Sequence, residues 1–185
     1  MLFRKHKDSH WRLGLALLAI GTGLTLFGYV AVQQSIRLGA NDLPARVALY
    51  SALRLSTADP KTAIGPTPTT ASERELYPGV YVFDEQGRTV ATNIYGDVVN
   101  LTDVVQAPPA GTFVYARGHA DNRFTWKPTN GSRQAAVLVH NSDNKGFVMA
   151  TQSLTEPERL ISKIGELAGA TLLGVIMVAV AVVWI

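Results

Sequence analysis

The chain has no cysteine, so no disulfide braces it and no thiolate is present for zinc or redox chemistry. Charge is scarce as well. Lys, Arg, Asp and Glu make up 17% of the 185 residues, against about 25% in soluble domains. The net charge is only +3 and sits mostly in the first twelve residues, which excludes a strongly basic nucleic-acid binder. There is no G-x-x-x-x-G-K-[ST], no G-x-G-x-x-G and no G-x-S-x-G, so neither a nucleotide loop nor a nucleophile elbow has support.

The missing charges are missing from two places. None of the 31 charged residues lies between Leu13 and Gln34 or between Leu167 and Ile185. Two apolar stretches therefore frame a polar middle. That pattern argues against an ordinary cytosolic enzyme and against a secreted protein with one cleaved leader. The first span is placed at 13–32, whose twenty residues, at about 1.5 Å rise each, match a hydrocarbon layer of roughly 30 Å. A signal peptide is the rival, but the run exceeds a typical apolar core of about 7–15 residues and lacks an A-x-A cleavage pattern. Arg4, Lys5, Lys7 and Arg12 oppose the single acid Asp8 in the tail at 1–12, which places that tail in the cytoplasm. The middle, 33–163, is balanced at 13 basic and 12 acidic residues. The second span, 164–185, returns inward and ends at Val-Val-Trp-Ile, with Trp184 as its interfacial aromatic. Any cytoplasmic output domain would lie beyond Ile185 or on a partner.

Within the middle, Asn41-Asp42-Leu43-Pro44 breaks the first helix. Ala45 to Leu55 reads as a second helix whose apolar side carries Val47, Leu49, Tyr50, Leu53 and Leu55. Residues 56–72 contain 14 Ser, Thr, Pro, Ala or Gly among 17 and read as an irregular, exposed connection. Strands are expected at Gly79 to Asp84, Arg88 to Thr92, Arg123 to Lys127, Arg133 to His140 and Phe147 to Thr151. Asp84-Glu85-Gln86-Gly87 and Asp143-Asn144-Lys145-Gly146 supply turns. Pro108-Pro109 opens a short helix over Ala110 to Gly118. Thr155-Glu156-Pro157-Glu158 caps a last helix that runs unbroken into the second span. The expected fold class is α+β: an antiparallel sheet of about five strands with helices on one face, flanked by two transmembrane helices.

This strand order, with the hairpin Phe83-Asp84-Glu85-Gln86-Gly87-Arg88, resembles the PAS-like or Cache-like sensor domains found outside bacterial membranes. Gln33-Gln34, Arg37, Ala40-Asn41-Asp42, Pro44, Thr125-Trp126-Lys127-Pro128, Ser153-Leu154, Glu156 and Glu158 extend the likeness. They resemble a group of short bacterial two-span membrane proteins and the sensor region of some histidine kinases. The resemblance covers most of the chain through loose motifs. It implies a bacterial inner-membrane location with the main domain periplasmic, and it carries no activity residue by residue. The chain has no phosphoacceptor helix and no kinase nucleotide domain.

Side chains that carry chemistry are few. His119 and Asp121 lie two apart in a polar loop, and His140 ends a strand beside Asn141-Ser142-Asp143; each reads first as a solvated or turn residue. His6 and His10 are four apart on the tail without further donors, so no metal spacing appears. Asn100-Leu101-Thr102 and Asn130-Gly131-Ser132 match a glycosylation pattern that is incidental in a bacterial protein. Glu166 near the outer end of the second span is explained by Lys163, three residues back. Arg117, Arg123, Lys127 and Arg133 around Trp126 form either a face for an anionic partner or a solvated strand face with apolar residues inward.

The strongest pattern is in the spans. Gly14, Gly21 and Gly28 recur every seven residues on one helix face. Ala19 and Gly23, Gly165 and Gly169, and Ala170 and Gly174 are each four apart. Small residues let helices approach closely in lipid. The expected role is a non-catalytic accessory or stabilising subunit of a larger membrane assembly, respiratory or photosynthetic, with other membrane proteins or a second copy as partner. No cofactor and no nucleic acid is expected. The alternative is a ligand-sensing extracytoplasmic region whose effector lies elsewhere. An enzyme would require His119, Asp121 and His140 to converge in one pocket.

Overall fold

A computed structural model describes residues 2–70, 73, 77–94, 106–129, 131–141, 143 and 146–184, with side chains from His10 onward. The glycosylation-like Asn100-Leu101-Thr102 and Asn130, the turn residues Asn144-Lys145 and the side chain of His6 lie outside the described residues. The chain divides into two compact units, 1–37 with 157–185, and 38–156.

The first unit consists of two long helices. Helix α1 is Leu2–Gly39 and the last helix, numbered α5 below, is Thr155–Trp184. Both are long and apolar enough to cross a membrane. Phe27, Leu24, Leu173 and Met177 point outward with more than 60% of their surface exposed. The two helices run antiparallel and close on each other where α1 has glycine. A Cβ on Gly14 would sit 2.6 Å from Val183 Cγ2, and one on Gly21 2.7 Å from Val175 Cγ1. Gly165 takes the ring of Tyr29 at 3.6 Å, an ordinary packing distance. Thr25 and Thr171 donate their hydroxyls to the carbonyls of Gly21 and Leu167 four residues back, so neither leaves an unsatisfied polar group in an apolar helix.

The second unit is α+β. Its elements in order are α2 (Asp42–Thr57), α3 (Pro60–Ala63), β1 (Gly79–Phe83), β2 (Thr89–Thr92), α4 (Ala110–Gly118), β3 (Asn122–Trp126), β4 (Gln134–His140) and β5 (Phe147–Ser153). The sheet has five strands in the order β2-β1-β5-β4-β3, all neighbours antiparallel. Asp84 shapes the β1–β2 turn. Its carboxylate accepts the backbone N–H groups of Gln86 and Arg88, and Gly87 turns with φ +78°. Gly146 closes the β4–β5 turn at φ +104°, where an added Cβ would strike the Phe83 carbonyl.

Three expectations are corrected here. Helices cover both sheet faces, not one. On one face Val80, Val82, Val137, Val139, Val148 and Ala150 pack under α2 and α3. On the other, Tyr81, Phe83, Leu138, Phe147, Met149 and Trp126 pack under Phe113 and Ala116 of α4. The near-continuous apolar runs of β1, β4 and β5 require this, because alternate side chains of one strand leave opposite faces. Aromatic rings lock the second face edge to face: Phe83 to Phe113 at 5.3 Å, Phe113 to Phe147 at 5.1 Å and Tyr81 to Trp126 at 5.9 Å.

The buried side of α2 is also only partly the expected one, which keeps Leu55 and, partly buried, Val47. Ala48, Ser51, Ala52 and Leu55 face the sheet, while Leu49, Tyr50 and Leu53 are exposed. Small residues let the helix axis lie close over the valine-rich face. Finally, the connection at 56–72 is not uniformly irregular and exposed. Asp59 caps α3 by accepting from Thr62 N–H at 3.0 Å, and Ala63 is buried in the core.

Candidate functional site

The small-residue face of α2 leaves room at one edge of the helix. A cavity of about 470 Å³ opens there, between α2, α3, the stretch 64–69 and the start of β1. Its apolar wall includes Val47, Ala63, Ile64 and Val80. Tyr50 and Tyr77 flank it with more than 60% of their surface exposed. That volume falls in the range of about 300–1,000 Å³ usual for small-molecule sites.

Three polar side chains of the wall have donors without an acceptor among the described residues. Ser51 is 3% exposed, and its hydroxyl makes no hydrogen bond among the described residues. Asn93 is 5% exposed, and its Oδ1 accepts the Val80 N–H at 2.7 Å. Because an N–H must meet an oxygen, that bond fixes the amide orientation and leaves Nδ2 as a donor with no acceptor among the described residues. Arg54 lies over the Tyr50 ring, its Cζ 5.8 Å from the centroid, and has no acid within ion-pair distance among the described residues.

Glu73 is the acid of the wall, and its Oε2 is occupied. It accepts from Thr69 N–H at 2.7 Å, Thr69 Oγ1 at 2.9 Å and Thr70 N–H at 3.1 Å. The Thr69 N–H, then the Thr69 hydroxyl and the Thr70 N–H, hold this carboxyl below the usual range. The carboxylate thereby ties down the strap that covers the cavity. Sequence reasoning missed this site, since Arg54 and Asn93 stand far apart along the chain and 64–69 shows only turn-forming composition.

The residues singled out by the sequence fall elsewhere and do not converge. His119 stacks on Tyr115 at 3.8 Å between centroids, with Nδ1 2.9 Å from the Tyr115 carbonyl. Asp121 pairs with Arg123 at 2.9 Å. His140 Nε2 lies 2.9 Å from Glu85 Oε1, which also accepts the Gly146 N–H at 3.0 Å. Arg117 donates to the Glu85 carbonyl at 2.6 Å and caps the Phe147 ring. Partial burial works against the Glu85 charge, but the His140 bond and charge, the Gly146 N–H and Arg117 outweigh it and hold the carboxyl below its usual range. This cluster joins the β1–β2 turn, α4 and the β4–β5 turn. Among the described residues no three His, Asp or Glu side chains gather as a metal site.

The basic residues do not share one face. Trp126 is buried in the aromatic core. Arg123 pairs in register with Val137, hence on the α2 side of the sheet. Arg117 belongs to α4 on the other side, Lys127 is exposed beyond β3, and the Arg133 carbonyl accepts the Leu154 N–H. Of the helix glycines, Gly14 and Gly21 are closed by α5 and Gly165 by Tyr29, whereas Gly28, Gly169 and Gly174 have nothing within 4 Å of an added Cβ. The chain matches no known protein-family model and no curated protein sequence.

Proposed function

We propose that the protein is a non-catalytic, membrane-anchored ligand sensor. In this reading α1 and α5 cross a bacterial inner membrane, the unit 38–156 lies on the periplasmic side, and its cavity takes a small molecule. The observation that carries the reading is the 470 Å³ cavity lined by Ser51, Asn93 and Arg54. These side chains border the cavity without an acceptor among the described residues, and a ligand that accepts hydrogen bonds supplies one. The unbroken helix Thr155–Trp184, which starts two residues after β5, supplies a covalent route from the sheet to the apolar span. The strand order β2-β1-β5-β4-β3 is in keeping with the PAS-like resemblance. The effector would then be a further domain or a partner protein.

The test uses the full chain in lipid nanodiscs and reads its melting temperature with and without the dialysable small-molecule fraction of a bacterial cell extract. The fraction raises the melting temperature of the native chain and not that of Ser51→Phe, whose ring occupies the cavity. No shift, or an equal shift in both, refutes the reading.

A second reading, an accessory subunit of a membrane assembly, is favoured by one observation: Gly28, Gly169 and Gly174 stand open on apolar helices. Gly14 and Gly21 no longer support it, because they are taken up within the chain.

A further inference from the structure

We infer that the cavity beside α2 is a binding site for a small organic carboxylate with an apolar, aromatic-sized body. The inference rests on the sensing reading and adds the chemistry of the ligand. Three groups of the wall, the Arg54 guanidinium, the Ser51 hydroxyl and Asn93 Nδ2, can donate hydrogen bonds and have no acceptor among the described residues. A matching ligand therefore presents acceptors. Arg54 adds a positive charge without a protein counter-ion among the described residues, and a guanidinium fork pairs best with a planar, two-oxygen anion.

The acid in the wall does not reverse this. Glu73 Oε2 is already saturated by Thr69 and Thr70, so that oxygen offers little to an ammonium group. Val47, Ala63, Ile64 and Val80 give the wall an apolar side that suits an uncharged body. Tyr50 and Tyr77, both exposed at the rim, suit a flat apolar body sandwiched as it enters. Tyr50 already holds Arg54 over its ring, so a carboxylate drawn to Arg54 brings its body against the same aromatic.

The experiment measures binding to the full chain in nanodiscs by calorimetry, with three probes of one shape: phenylacetate, phenylacetamide and 2-phenylethylamine. Empty nanodiscs give the partition background. Phenylacetate binds saturably and about tenfold or more tighter than the amide, the preference expected of one charge-assisted bidentate contact. Arg54→Gln removes that preference, and Arg54→Lys, which keeps the charge without the fork, retains part of it. Arg54 is only half-buried on a helix, and an unchanged circular dichroism spectrum certifies the fold of each variant. Saturable binding of phenylethylamine at equal or greater strength overturns the carboxylate class while leaving a ligand site in place. Failure of all three probes to saturate overturns the inference, and the extract experiment then decides the sensing reading by itself. A preference for phenylacetate that survives Arg54→Gln also overturns it.

Discussion

Replacing Gly21 and Val175 together by cysteine asks whether the two apolar helices pack as antiparallel neighbours within one chain. A Cβ built on Gly21 lies 3.5 Å from Val175 Cβ. Disulfides need Cβ atoms about 3.5–4.5 Å apart, so the pair is in range without movement of either backbone. The single variants behave differently. On Gly21→Cys alone the new Cβ meets Val175 Cγ1 at 2.7 Å. Valine in a helix has one favoured rotamer, so it cannot swing aside, and overpacking of this kind costs about 1–3 kcal/mol. Val175→Cys removes the branched methyl and relieves the clash, so the double variant folds better than Gly21→Cys. The native chain has no cysteine, so every crosslink comes from the introduced pair. After mild oxidation in nanodiscs, the double variant runs as a faster, reductant-sensitive monomer on a denaturing gel. The control pairs Gly28→Cys with Val175→Cys. Gly28 is seven residues further along α1, about 10.5 Å at the helical rise, and forms no intrachain bond. Crosslinked dimers from Gly28→Cys alone identify a second copy as the occupant of the open glycine face. A Gly21–Val175 pair that yields only intermolecular dimers, or nothing, refutes the helix arrangement.

Two further predictions concern the unit 38–156. Asn141, 2% exposed, donates Nδ2 to the Ala52 carbonyl at 2.8 Å and to Ser56 Oγ at 3.1 Å, and accepts the Asp143 N–H at 2.9 Å. Asn141→Ala should cost about 2–3 kcal/mol, at roughly 1 kcal/mol per hydrogen bond lost, and Asn141→Asp more, because it turns an oxygen toward the Ala52 carbonyl; urea denaturation reads both, and an Asp variant as stable as native refutes the tether. Stability should also fall in acid. For Asp84, partial burial opposes the charge but the Arg88 N–H and guanidinium outweigh it, and Glu85 is lowered in the same sense. Groups depressed in the fold add stability above their unfolded pKa, near 4, and lose it as pH drops through the lower folded values. Melting temperature against pH should therefore be flat near neutrality and decline below about pH 4, with Glu85→Gln flattening that limb; an unchanged acid limb refutes the role given to Glu85.

The order of elements was legible because punctuation and patterning agreed. Pro108-Pro109 marked the start of α4, Thr155-Glu156-Pro157-Glu158 marked α5, and Asp84 to Gly87 marked the first hairpin, each through local chemistry that tertiary packing did not override. The layering was misread, although the sequence carried its signal. Val80-Tyr81-Val82-Phe83 and Ala135 to Val139 are apolar on both strand faces, which argues for cover on both sides. The orientation of α2 failed for a different reason. Helical periodicity weighs side chains by hydropathy and so favours Leu49, Tyr50 and Leu53, but packing against a flat valine surface rewards small volume, and Ala48 and Ala52 took that place. The cavity had no local signature at all. Its donors come from α2 and from the residue after β2, and its cover comes from a stretch whose composition shows only turns.

The same choice of small residues that brings α2 onto the sheet also makes the site. Ala48 and Ala52 belong to one buried cluster with Val80, Val82, Val139 and Val148. Ser51, equally small, borders the cavity with Val80, and the stretch 64–69 lines its other side. Closing that space with a leucine at 51 would bury apolar area worth about 1.5–3 kcal/mol and remove an unpaired hydroxyl. The sequence instead keeps a serine, adds Asn93 to the same wall with its oxygen committed to β1, and, among the described residues, gives neither the Asn93 nitrogen an acceptor nor Arg54 an acid. The three share one cavity and can each donate a hydrogen bond into it, and the carboxylate ligand proposed above would use all three at once.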